Sequence, residues 1–221
     1  MTIKLIQVTP NMLLADKYVS KLPANFDPAN SATWPKNQGF YLNEQASPVL
    51  FTDRDDTIND DGPGYLHVYS QMEIFPEAYQ VLRAKQEQGY MLVIVTNQSG
   101  ISKKKFTLED FILCMNQMAA DAYAQAGLEI DAVLFAHTSD DSEPWRKPNG
   151  QTFVEFSQFF QVNAQDCYMM GDKEIDIIYG KNLGMTTIGV KTGTSIPEGA
   201  DYLVDEIKDI AKIEFKKVLR V

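Results

Sequence analysis

From Pro48 onward the chain alternates between two kinds of segment, and this alternation limits its possible folds more than any other feature. Short, continuously apolar runs occur at PVLFT (48–52), MLVIVT (91–96), AVLFA (132–136), CYMMG (167–171) and TTIGV (186–190). Between them lie longer stretches with helical character at 76–89, 107–127, 152–162 and 175–184. A strand that is apolar at every position needs cover on both faces, and a parallel sheet flanked by helices supplies it. Thr107, with Glu109 and Asp110 behind it, offers a capping hydroxyl and an acidic first turn, while Gly89, Gly127 and Gly184 stand where helices should stop. The pattern predicts an α/β fold with a parallel sheet covered on both faces.

Residues 1–47 do not share this pattern and are read as an N-terminal extension of unassigned role, ahead of a domain spanning 48–221. Ile3, Leu5 and Val8 could form a short edge strand; the rest is irregular, with Pro23, Pro28 and Pro35 and an exposed-looking Trp34. The segment could wrap the domain, cover a site or mediate association. No apolar run approaches the roughly 18 residues of a spanning helix, and the first residues lack a signal-peptide pattern, so a cytoplasmic location is expected and no membrane partner. The two cysteines, Cys114 and Cys167, lack metal-ligand spacing and read as buried thiols. A net charge of −10 argues against a protein that coats nucleic acid but leaves room for a small anionic substrate or a nucleic-acid end.

In parallel sheets reactive groups gather at the carboxyl ends of the strands. Here those ends carry Asp53 to Thr57, then Thr96 to Gly100, then His137, then Gly171-Asp172-Lys173. Asp53, Asp55 and Asp56 crowd into four positions, a repulsive arrangement that calls for a cation. A calcium loop fails by register, because position six from Asp53 is Ile58 rather than glycine and position twelve is Gly64 rather than glutamate. A merely solvated turn is one reading, weakened by the buried-looking strand that leads straight into the carboxylates; covalent catalysis is the other. One carboxylate attacks phosphorus, a divalent cation such as Mg²⁺ relieves the charge, and a second carboxylate in a different environment moves the proton.

DRDDT (53–57) resembles the first motif, usually DxDGT, of the haloacid dehalogenase superfamily. The further motifs follow in family order: VIVTNQSGIS (93–102), RKP (146–148) and MMGDKEIDI (169–177). The resemblance covers about residues 48–205 and is strongest to the group holding histidinol-phosphate phosphatases, heptose-bisphosphate phosphatases and the phosphatase domains of polynucleotide kinase phosphatases. It implies a Rossmann-like three-layer α/β/α sandwich with a mainly parallel sheet, and a Mg²⁺-dependent phosphomonoester hydrolase working through a phospho-aspartate. Carried onto this sequence, it makes Asp53 the nucleophile and a metal ligand. Asp55 becomes the general acid/base, with its carbonyl on the metal. Thr96 and the Asn97 backbone hold phosphoryl oxygens, with Thr57 and Arg146 as further substrate-binding candidates. Lys147 bridges nucleophile and phosphate, Asp172 completes the metal shell, and Lys173 and Asp176 support it. The expected partner is a small phosphorylated metabolite of sugar-phosphate or histidinol-phosphate type. The alternatives are a DNA 3′-phosphate end, disfavoured by the acidic charge, and a catalytically silent binding protein.

Three departures from the family pattern matter. Asp56 replaces the usual glycine and is expected to face solvent. The stretch FAHTSDDSEPWRKP (135–148) holds only His137 where relatives often carry zinc ligands, so no structural zinc is expected, and Trp145 is read as a plug or a stacking surface. With only about forty residues between the first and second motifs and about fifty between the second and third, no large cap domain fits. The segment 58–75, which carries His67, is expected to form a short hairpin flap over an open site, and Lys103 to Lys105 a solvated loop.

Overall fold

In the computed structural model, residues 4–62 and 64–217 are described; Ile3, part of the expected edge strand, lies outside them. Among the described residues ten strands form, in chain order β1 (Leu5–Thr9), β2 (Met12–Ala15), β3 (Val49–Thr52), β4 (Asn59–Asp60), β5 (Glu73–Ile74), β6 (Met91–Asn97), β7 (Ala132–Ala136), β8 (Tyr168–Gly171), β9 (Thr186–Val190) and β10 (Tyr202–Val204). The helices are α1 (Asp16–Val19), α2 (Ala78–Glu87), α3 (Leu108–Ala126), α4 (Gln151–Phe156) and α5 (Glu174–Leu183). Eight strands make one sheet in the order β1-β2-β7-β6-β3-β8-β9-β10, while β4 and β5 pair separately as the small hairpin expected over 58–75. From β7 to β10 across the sheet every pairing is parallel; β2 joins β7 antiparallel, and β1 joins β2 antiparallel. The helix expected over 152–162 stops at Phe156, where the chain tightens into turns at Ser157 and Phe159 that place Phe159 and Phe160 in the core.

The period of two along each strand divides the core. Leu50, Leu92, Ile94, Val133 and Phe135 point to one face, beneath α2 and α3. Val49, Phe51, Met91, Val93, Val95 and Leu134 point to the other, against Phe156, Phe159 and Phe160 of the α4 segment and Tyr179 of α5. The three expected layers are therefore present. Thr107 caps α3 and Asp110 returns the bond, as the sequence implied, and Gly127 and Gly184 close α3 and α5 in the left-handed conformation.

Residues 5–15 enter this sheet rather than standing apart, and the chain after them extends the second layer. Tyr18, Leu22, Phe26 and Trp34 pack on the cluster around Phe159, with the Trp34 and Phe159 ring centroids 5.2 Å apart. Trp34 is thus anchored rather than exposed. Both cysteines are buried and free. Among the described residues no helix is long and apolar enough to cross a membrane.

Candidate active site

Parallel β3, β6 and β8 end on the same side of the sheet, and the residues following them meet there. Asp53 leaves β3 with its N–H on the Met170 carbonyl of β8, so the β3–β8 ladder carries it to the sheet rim. Asp172 follows β8 directly, and Asp176 lies in the first turn of α5, where its Oδ2 accepts the Lys173 N–H and caps the helix. Carboxylate oxygens of Asp53, Asp172 and Asp176 lie within 4.8 Å of one another. All three residues are buried, so their mutual repulsion is poorly screened.

A buried lysine answers part of that charge. Lys147, buried in the loop between β7 and α4, sets its Nζ 2.9 Å from Asp53 Oδ1 and 2.6 Å from Asp176 Oδ1, and donates to the Val95 carbonyl at 2.7 Å. Burial pulls the Lys147 pKa down, but the charges of Asp176 and Asp53 outweigh it and hold the ammonium firmly protonated. Asp172 is left less well served. Thr57 Oγ1 donates to its Oδ1 at 3.2 Å, whereas Oδ2 is buried with no hydrogen bond of good geometry and only the Lys173 ammonium nearby, at 3.1 Å. Burial first, then the Asp53 charge, pushes the Asp172 carboxyl well above the usual carboxylate range. A Cβ on Gly193 would fall 2.2 Å from that same oxygen, so the loop after β9 closes on it with room for no side chain. Three convergent buried carboxylates, with Asp172 Oδ2 facing the Lys173 ammonium, form a hard, all-oxygen donor set that suits Mg²⁺.

Asp55 has a different environment. Its carboxylate takes the Arg54 fork, with Nε on Oδ1 at 2.8 Å and Nη2 on Oδ2 at 2.9 Å, and the Gln98 amide at 3.1 Å. Arg54 is fully buried, with its remaining reach on the Leu66 carbonyl and beside the Phe111 ring. Gln98 also donates to Thr96 Oγ1 at 2.9 Å, so the first and second motifs are wired together through a side chain. Asp55 and Gln98, with Asp61, Gly64, Tyr65, Asn97, Ser99 and Gly100, line a pocket of about 150 Å³. A hollow of about 580 Å³ lies around Lys85 and Phe215, away from these groups; the chemistry rather than the size singles out the smaller pocket.

The remaining expected residues fall as follows. Asn97 turns its side chain onto the Lys147 backbone, a contact that sequence reading did not anticipate. Arg146 spreads its guanidinium over Asp141 Oδ1 at 2.7 Å and the Thr138 carbonyl at 3.2 Å, bracing the 138–146 loop rather than joining the carboxylate cluster. Trp145 Nε1 donates to Glu155 at 2.7 Å, and Glu155 in turn accepts from Thr9, so the indole seals this loop onto α4 and the β1–β2 turn. His137 lies beside Asn11, and His67 stacks on Phe106 at 4.8 Å. Asp56 does not face solvent. At φ 58° its Oδ1 accepts the Asp61 N–H at 3.0 Å, and its Oδ2 lies 3.4 Å from Lys173. Asp61, partly buried and near the charges of Asp55 and Asp56, has its carboxyl pushed up to about 6. Arg54 and Gln98 stand among the strand-end residues but were assigned no role from the sequence; an arginine set between two aspartates at the end of a fully apolar strand was the available signal.

A HAD-hydrolase-like family model matches residues 144–212. D-glycero-beta-D-manno-heptose-1,7-bisphosphate 7-phosphatase of Vibrio cholerae is 33% identical over 178 residues, 75% of this chain and 95% of that protein. The chain belongs to the haloacid dehalogenase (HAD) superfamily. The enzyme of the same name from Pasteurella multocida is 31% identical over 177 residues, again 75% of this chain and 95% of the relative. Among solved structures, a D,D-heptose 1,7-bisphosphate phosphatase from B. bronchiseptica, complexed with magnesium and phosphate, aligns with a TM-score of 0.66 over 75% of this chain and 96% of its own, at 22% identity. That likeness is one of fold. This HAD protein is a phosphatase, like the relatives it matches along nearly their whole length.

Proposed function

We propose that the chain is a Mg²⁺-dependent phosphomonoester hydrolase that transfers the phosphoryl group to Asp53 and then to water, with a small sugar phosphate as substrate. The observation that carries this reading is the division of the acids: Asp53 sits on Lys147 among metal-type carboxylates, while Asp55 is held apart on Arg54 and Gln98. Such a division separates a carboxylate placed for attack on phosphorus from one placed beside the leaving group to move a proton. Asp53, Asp172 and Asp176 would hold the cation, which would supply charge neutralisation between an anionic nucleophile and an anionic substrate.

The chain's own groups fill the other roles. An Asp53 oxygen attacks phosphorus while the bond to the leaving oxygen breaks, and that oxygen takes the proton of Asp55. Asp55, now a carboxylate, accepts a proton from the water that attacks phospho-Asp53, which frees phosphate and restores both acids. Lys147 fixes the Asp53 carboxylate and adds positive charge where phosphoryl oxygens gather; Thr96 and the Asn97 backbone present donors at the end of β6. Support for a sugar phosphate comes from relatives named as heptose-bisphosphate phosphatases, and the pocket of about 150 Å³ fits a small leaving group.

Phosphate release is the test, measured with Mg²⁺ on heptose and hexose mono- and bisphosphates, histidinol phosphate and a 3′-phosphorylated oligonucleotide. The highest kcat/KM is expected for a sugar phosphate, and Asp53→Asn should abolish turnover on every substrate. Turnover that survives Asp53→Asn would overturn the mechanism. A preference for the oligonucleotide would overturn the substrate class.

A further inference from the structure

Arg54 is the largest fully buried side chain of the described residues, and its hydrogen bonds to oxygen go to Asp55 and Leu66 rather than to the Asp53, Asp172 and Asp176 cluster. Its cost in desolvation is large, and a buried guanidinium is retained only where a partner of matching geometry meets it. Here the partner is Asp55. Two parallel N–H donors fix both carboxylate oxygens, and Gln98 holds Oδ2 from the far side at 3.1 Å while also holding Thr96. Arg54 is itself locked by the Leu66 carbonyl at 2.9 Å and by Met115 and Phe111. A lone carboxylate on a turn would rotate about χ1 and χ2; this one is clamped from two sides.

We propose that Arg54 and Gln98 are positioning residues that hold the Asp55 carboxyl in the one orientation from which it protonates the leaving oxygen. The inference rests on the reading of Asp55 as the proton carrier. The fork binds both Asp55 oxygens, Gln98 adds a bond to Oδ2 and Asn59 one to Oδ1 at 3.4 Å, so the carboxyl is fixed at the wall of the pocket that Asp55 and Gln98 line. Leu66 belongs to the 58–75 segment, so the clamp also ties Asp55 to that segment through Arg54.

The test is the dependence of kcat/KM on the leaving group, since this constant reports steps up to cleavage of the leaving-group bond. A sugar phosphate expels an alkoxide that needs a proton; p-nitrophenyl phosphate expels a stable phenolate that does not. In Arg54→Lys the charge remains but the fork is lost, and the aryl-to-alkyl ratio of kcat/KM should rise by about 30-fold or more over wild type, with Asp55→Asn raising it about 100-fold or beyond. Gln98→Met should raise the ratio in the same direction by a smaller factor. A merely structural role lowers both substrates together and leaves the ratio unchanged. An unchanged ratio in both folded variants, beside a raised ratio in Asp55→Asn, overturns the inference. An unchanged ratio in Asp55→Asn overturns the reading of Asp55 and this inference with it. If Arg54→Lys does not give a cooperative thermal transition, Gln98→Met alone decides.

Discussion

Two hydrogen bonds join the Asn97 side chain to the Lys147 backbone: Oδ1 accepts the Lys147 N–H at 3.0 Å, and Nδ2 donates to its carbonyl at 3.1 Å. The end of β6 thus grips the residue whose ammonium meets Asp53, and the bonding mimics a strand pair between segments that never form one. Lys147 owes its position to this grip, to the Val95 carbonyl and to the braced loop behind it.

Asn97→Ala should therefore lower kcat/KM by about tenfold to a hundredfold, because small misplacements of a charged group in a reacting centre carry losses of that size. The loss should fall on kcat as well as KM, with the fold intact by circular dichroism. Unaltered kcat would show that Lys147 keeps its place without the grip.

The metal site predicts a pH-dependent response. Asp172 has a folded pKa raised above its unfolded value, so it favours folding while protonated, and that contribution is lost as pH rises from the unfolded value through the folded one. Metal-free protein should consequently melt lower at pH 8 than at pH 5.5 as far as this group decides, and millimolar Mg²⁺ should raise Tm more at pH 8, where the carboxylates need a cation. Asp172→Asn should shrink the Mg²⁺-induced shift and flatten its pH dependence. A shift of equal size at both pH values, or one kept in Asp172→Asn, would count against the site.

Asp56→Gly removes a side chain from a left-handed position, which relieves backbone strain, and it also deletes the anchor of the Asp61 N–H. The two effects oppose each other, so stability should stay within about 1 kcal/mol of wild type. The flap segment at Asp61 lines the pocket, so the substitution should raise KM for the preferred substrate severalfold with a smaller change in kcat. A steady-state comparison across the phosphate panel measures this; an unchanged KM on all substrates would show that Asp56 has no part in substrate binding.

The strands from Val49 to Val190 were legible because burial on both faces leaves an unbroken apolar run, and their carboxyl ends marked the site for the same topological reason. Met12–Ala15 was not legible. MLLA is apolar throughout and short, and its partner, Val133 and its neighbours, lies far along the chain, so nothing local distinguishes it from an irregular anchor. The helix at 152–162 was overread since Phe159 and Phe160 continue the apolar spacing while the backbone has already turned. At the site, Asp53, Asp172 and Lys147 were placed by motif, but the direction of a side chain is not written in its position. Arg54 points into the core, Arg146 points along its loop, and Asp56 folds back onto Asp61; each depends on partners brought in by the tertiary fold.

The antiparallel pairing of β2 with β7 has a consequence for how the protein is made. Ala15 and Ala132 belong to neighbouring strands although more than a hundred residues separate them. At translation rates of about 5–20 residues per second, the β1–β2 hairpin leaves the ribosome roughly 5–20 seconds before its docking edge exists. During that interval the β2 edge that will meet β7 has no native partner, which leaves an apolar strand open to wrong pairing.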